Sequence, residues 1–264
     1  MSGTDPSERS DVATPLESLG SLAAVEVEIT STLRHIEVYT AEGLLSLFWH
    51  GPSNASDVVL ACGGAMGGVL GPAAGIFHEL GEWLAVHHGI GMIRVGYRVP
   101  NDLSRCVHDL AAAADLATRS GAVRFVTMGH SFGGAPALNA GIAFGNHCAG
   151  VVGLATQSAG CERGDQLGQT PLLLLHGTED RILPFQASQM VQMIVGRGEL
   201  VLLEGAGHLL TEARAELDDR LRAWIPARFA EHAAAGKPDP VPGSDAERGP
   251  DPVPGSDPVT GPIP

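Results

Sequence analysis

The sequence predicts an α/β protein: a mostly parallel sheet of about eight strands, with helices on both faces. Three observations carry this. Short apolar runs alternate with helical-period segments over residues 23–233. Glycine-rich turns follow several of the apolar runs, as at 63–68 and 129–134. Of the 264 residues, 44% are hydrophobic, enough to cover a sheet on two sides.

The elements follow in order. Ala24 to Thr30 alternates with period two, as a half-buried edge strand does. Residues 34–40 and 43–49 read as a hairpin around Ala41-Glu42-Gly43. Asp57 to Cys62 is a continuous apolar run, the mark of an inner parallel strand. Ala74 to His88 has helical spacing, with Ile76, Leu80, Trp83 and Leu84 on one face. A strand over Gly91–Tyr97 and an Ala-rich helix over Asp102–Ser120 come next, with Asn101 or Asp102 able to cap the helix. Strands are expected at 122–128, 149–155, 171–176 and 199–203. Helices are expected from Ala135 to about Phe144, over 184–195 and over 210–233.

The ends differ in kind. Residues 1–20 are polar and expected to be disordered, leaving a domain over 21–235. Residues 236–264 hold Pro238-Asp239-Pro240-Val241-Pro242-Gly243-Ser244-Asp245, and the same eight residues recur from Pro250. So many prolines without apolar periodicity predict a disordered tail.

Net charge is −14, and the two ends carry −6 of it, so nucleic acid is not an expected partner. The amino-terminal residues lack a basic and then apolar signal pattern, and no apolar run reaches the roughly 20 residues of a membrane span. A cytoplasmic protein without membrane partners is expected. Cys62, Cys106, Cys148 and Cys161 have neither C-x-x-C nor zinc spacing and read as free buried thiols. His87-His88 and Cys106/His108 do not share a helix face, so neither a metal nor another cofactor is expected.

Chemistry concentrates after the strands. Gly129-His130-Ser131-Phe132-Gly133 is a G-x-S-x-G turn between a strand and a helix, which exposes a serine at a helix amino terminus. Asp180 follows the run Leu172–His176, where a carboxylate is able to orient an imidazole. His208 follows Leu200–Leu203 on a glycine-flanked loop. The order Ser131, Asp180, His208 is that of a nucleophile, an acid and a base at the carboxyl ends of parallel strands. The Gly-rich turn after Cys62 is able to aim a backbone N–H at an oxyanion, from Ala65 or, one step away, Gly64. The N–H of Phe132 is the second expected donor. Met66, His130 and Gln157 are candidate substrate-binding residues, and His176 reads as a structural histidine.

The segments Gly-His-Ser-Phe-Gly-Gly (129–134), His-Gly-Thr-Glu-Asp-Arg-Ile-Leu-Pro (176–184) and Gly-Ala-Gly-His (205–208) resemble the nucleophile, acid and histidine motifs of the α/β-hydrolase superfamily. The resemblance covers residues 23–233. Only Thr156 to Thr170 lies where lidded members insert helices, so the chain looks like a compact, lidless member. It is similar in outline to the dienelactone hydrolase group and to small carboxylesterases, although that group often has a cysteine nucleophile. Cys62-Gly63-Gly64 also stands where the family often has His-Gly. The resemblance implies cleavage of a small ester or lactone through an acyl-enzyme. Thioester, amide or C–C hydrolysis, a lyase step, and a non-catalytic binding role on the same scaffold are the alternatives.

Overall fold

The computed structural model describes residues 13–236. The strands are β1 (Ser21–Thr30), β2 (Leu33–Thr40), β3 (Gly43–His50), β4 (Asp57–Cys62), β5 (Gly91–Gly96), β6 (Arg124–His130), β7 (Cys148–Leu154), β8 (Leu172–Gly177) and β9 (Glu199–Leu203). The helices are α1 (Pro72–His88), α2 (Leu103–Arg119), α3 (Gly134–Phe144), α4 (Gln186–Val195) and α5 (Arg214–Ala234).

All nine strands join one sheet in the order β1-β2-β3-β5-β4-β6-β7-β8-β9, one more than the expected eight. From β5 across to β9 every pairing is parallel, and β1, β2 and β3 add an antiparallel edge. Alternation along a strand divides the core. Val58, Leu60 and Cys62 of β4 pack on one face, with Cys106 and Leu110 of α2 and Ala137 of α3. Val59 and Ala61 pack on the other, with Leu80 and Leu84 of α1 and Leu221 and Ile225 of α5. Asp102 caps α2 by accepting the Arg105 N–H at 3.0 Å.

Two expectations at the amino end are corrected. β1 is exposed along its whole length rather than half-buried, because it is the outermost strand of the sheet. Residues 13–20 pack on α2 rather than being disordered: Leu19 is buried, and Asp115 accepts from Thr14 Oγ1 (2.6 Å) and the Leu16 N–H (3.0 Å). Residues 1–12 and the repeated tail from 237 lie outside the described residues.

Several buried polar atoms lack a hydrogen-bond partner among the described residues, among them Trp49 Nε1 and Arg94 Nε, but His50, fully buried at the end of β3, lacks one at both of its ring nitrogens. Burial, aided by the Arg94 and His78 charges, pushes its pKa down to about 3.

Candidate active site

The serine turn begins where β6 ends at His130. Ser131 has φ 57°, in the left-handed region, and a short 3-10 turn over Ser131–Gly133 runs directly into α3. Such a backbone costs on the order of 1–3 kcal/mol and persists only where its surroundings impose it. The surroundings here are close-packed. A Cβ on Gly129 would lie 1.9 Å from the Gly133 carbonyl oxygen, and one on Gly134 would lie 1.8 Å from Thr156 Oγ1. A Cβ on Gly133 would meet the Gly63 carbonyl oxygen at 2.3 Å, so all three glycines of the turn are required by close approach.

The loops after β8 and β9 bring the other two residues to this turn. The Ser131 hydroxyl donates to His208 Nε2 at 3.0 Å, and His208 Nδ1 donates to Asp180 Oδ2 at 2.7 Å. Asp180 has a fully buried side chain, and that of His208 is 10% exposed. The other carboxylate oxygen, Oδ1, accepts the N–H groups of Ile182 (2.8 Å) and Leu183 (2.9 Å), so the acid is held by its own turn. Burial works to raise the Asp180 pKa, but the bonds from His208, Leu183 and Ile182 outweigh it and hold the carboxyl below its ordinary value. The histidine loop is anchored from below. Ala73 and Ala74 leave helical geometry at the start of α1, and the Ala73 N–H donates to the Leu209 carbonyl at 2.7 Å.

Two more histidines surround this chain of hydrogen bonds. His176 Nε2 donates to the Leu183 carbonyl (2.9 Å) and Asp180 Oδ2 (3.1 Å), while Nδ1 accepts from Ser188 Oγ at 2.7 Å. Burial lowers its pKa and favours the neutral ring, and the carbonyl and carboxylate acceptors at Nε2 keep its single proton there. His176 is thus a structural histidine, and it also shares the oxygen that His208 binds. The sequence gives no sign of the Ser188 contact, which crosses from β8 to α4. His130 Nε2 donates to the His208 carbonyl at 3.0 Å, and burial pushes its pKa down to about 4.

The Gly-rich turn lies against the serine. A Cβ on Gly64 would be 3.4 Å from Ser131 Cβ and 3.8 Å from its Oγ, and the Gly67 N–H closes the turn on the Gly64 carbonyl at 2.9 Å. Tyr97, which the sequence did not single out, donates its hydroxyl to the Gly63 carbonyl at 3.3 Å. A cleft of about 170 Å³ opens here, lined by Gly64, Gly67, Val69, Leu70 and His130.

Met66 does not line this cleft, as the sequence reading had it. Its side chain is 94% exposed at the tip of the turn, because the tight Gly64–Gly67 closure turns the intervening residues outward. Phe132 packs its ring into the core edge-on to Tyr97, leaving only its backbone at the site. Gln157 reaches the site through its backbone: its N–H donates to the Ser131 carbonyl at 3.4 Å, and its side-chain amide donates to the Ala159 carbonyl. Ala65 is exposed beside Met66 on the turn. Leu70, Ile182 and Leu209 are also exposed, at 62%, 70% and 60%, on the loops that carry the site.

A larger concavity of about 630 Å³ lies between the ends of α3 and α5 and contains none of the candidate residues. The four cysteines are unpaired and buried, and burial pushes each thiol up to about 12, which leaves no thiolate at neutral pH. Among the described residues no helix is long and apolar enough to cross a membrane.

No protein-family profile and no curated protein matches the chain. Solved structures do. Est1E from Butyrivibrio proteoclasticus is 15% identical and superposes with a TM-score of 0.61, over 74% of this chain and 99% of its own. An alpha-beta serine hydrolase homologue from Coxiella burnetii is 16% identical with a TM-score of 0.59, over 75% and 100%. Dienelactone hydrolase from Anabaena variabilis is 16% identical with a TM-score of 0.56, over 77% and 97%. These likenesses, with the parallel sheet and the strand-to-helix serine turn, show an α/β-hydrolase fold, and no cap interrupts it between β7 and β8.

Proposed function

We propose that this protein is a serine hydrolase that cleaves an ester or lactone of a small substrate through Ser131, His208 and Asp180. The observation that carries the reading is the continuous chain from the Ser131 hydroxyl through both nitrogens of His208 to a buried carboxylate. A fold of this kind hosts many chemistries, so the claim rests on the site.

In the proposed mechanism His208 Nε2 takes the hydroxyl proton as Ser131 Oγ bonds to the carbonyl carbon. Asp180 holds the Nδ1–H tautomer and stabilises the imidazolium. The N–H of Phe132, in the first turn leading to α3, and that of Ala65 or Gly64 receive the oxyanion. Collapse of the tetrahedral intermediate expels the alcohol, which takes its proton from His208. Water, deprotonated by His208, then attacks the acyl-enzyme and releases the acid and Ser131. No metal or other cofactor enters these steps.

The lack of a cap supports small substrates, and the exposed Leu70, Ile182 and Leu209 support an apolar acyl group. The names of the Coxiella and Anabaena neighbours, a serine hydrolase homologue and a dienelactone hydrolase, agree with this class. The test is a panel of p-nitrophenyl esters of increasing chain length beside lactones and acyl-thioesters. Highest kcat/KM on short esters or lactones is expected. Preference for long chains, or turnover of thioesters alone, would overturn the substrate assignment.

A further inference from the structure

We propose that His50, His78 and Glu82 form a zinc-binding site that clips the end of β3 to α1, apart from the hydrolase site. The imidazole nitrogens and a carboxylate oxygen of these three residues all lie within 4.8 Å of one another. His78 and Glu82 are one helical turn apart on α1, with Nε2 and Oε1 separated by 3.5 Å. Four ligands held tetrahedrally about 2.1 Å from Zn²⁺ stand roughly 3.4 Å apart, so that pair already has ligand spacing.

His50 supplies the independent sign. Its side chain is fully buried, and both ring nitrogens are without partners among the described residues. Leaving a buried polar atom unpaired is unfavourable, and a ligated metal removes that cost at one nitrogen. The ring is laid against α1 by a missing side chain: a Cβ on Gly81 would fall 2.7 Å from His50 Cδ2. The rings of His50 and His78 are 5.2 Å apart and tilted by 57°. His50 is the fixed ligand. His78 and Glu82, with side chains 42% and 46% exposed, have the freedom to close on it by rotamer changes of about 1 Å.

Two imidazoles and one carboxylate suit Zn²⁺, with water in the fourth position. Arg94 is the opposing charge, since its guanidinium also acts on His50, and the Glu82 carboxylate offsets it. The site is far from Ser131 along the sheet. His50 pairs with Met92 at the amino end of β5, whereas Ser131 follows the carboxyl end of β6. The sequence hid it because His50 is distant in the chain from the helical pair, and a single i, i+4 pair on a helix does not by itself mark a metal site.

The test is calorimetric titration of the tag-free full chain with ZnCl₂, paired with Co²⁺ absorption and thermal unfolding. One Zn²⁺ per chain, a tetrahedral-type Co²⁺ spectrum and a zinc-dependent rise in Tm are expected. His78→Ala, an exposed change that leaves the core intact, should weaken binding by about 100-fold and abolish the Tm shift. Glu82→Gln should weaken it by about 10-fold. The control His87→Ala/His88→Ala should bind as the parent does. An absence of stoichiometric binding, unchanged affinity in His78→Ala, or loss of binding in the control would each overturn the site.

Discussion

Two aspartates, Asp180 and Asp109, both have side chains closed to solvent, and their surroundings shift them in opposite directions. Asp109 on α2 faces Arg98: the Arg98 N–H donates to Oδ2 at 2.9 Å and Nε–H to Oδ1 at 2.5 Å. Both side chains are almost completely buried. Burial raises the Asp109 pKa, and Arg98 opposes that only in part. The Asp180 side chain is also closed to solvent, though the residue is less deeply buried than Asp109, and the bonds from the His208 imidazole and from the Leu183 and Ile182 N–H groups lower its pKa. The partner of Asp109 is itself buried and bonded on all sides to protein groups. Asp180 has its fixed partners on one side and, on the other, a histidine that reaches the open end of the site. Burial by itself says nothing about role. What distinguishes the two carboxylates is whether a partner is left free to exchange a proton with something else.

The comparison breaks most sharply through activity. Replacing Ser131 by Ala should lower kcat/KM for a short p-nitrophenyl ester by about 10⁴-fold or more, with Tm little changed. Asp180→Asn should come next, with a fall of about 10³–10⁴-fold in kcat, because the amide favours the wrong His208 tautomer. Asp109→Asn should do the reverse. Urea unfolding should show a loss of about 3 kcal/mol, since Arg98 is left buried with only Glu42 and His108 nearby, while kcat stays within about threefold. If Asp109→Asn lost activity at full stability, the division between the two regions would fail.

The smallest effect is in pH. The depressed Asp180 pKa contributes stability that is fully present above the ordinary aspartate value and is lost as pH falls through the lower folded-state value. The stability gap between the parent and Asp180→Asn should therefore be constant from pH 7 to about 5 and shrink in more acidic solution. A gap that widened with acid would contradict the direction of the shift.

Much of this arrangement was legible in the chain. Ser131, Asp180 and His208 each follow an apolar run that forms a strand, so local patterns place them at one end of the sheet. What crosses between elements was not legible. The bonds from Ser188 to His176 and from Tyr97 to Gly63 join residues whose own segments carry no signal of contact. Met66 shows the same limit, because the closure of a turn decides whether a residue lines a cleft or leaves it. At the amino end, the polar composition of 13–20 concealed Leu19, whose burial depends on the presence of α2.

The central claim is that Ser131 is a nucleophile activated through His208. A fluorophosphonate tests it directly, with intact-mass and peptide mass spectrometry as the readout. One adduct per chain on Ser131 is expected, abolished in Ser131→Ala and slowed by about 10³-fold or more in His208→Ala. An unmodified chain, or labelling at equal rate in His208→Ala, would contradict it.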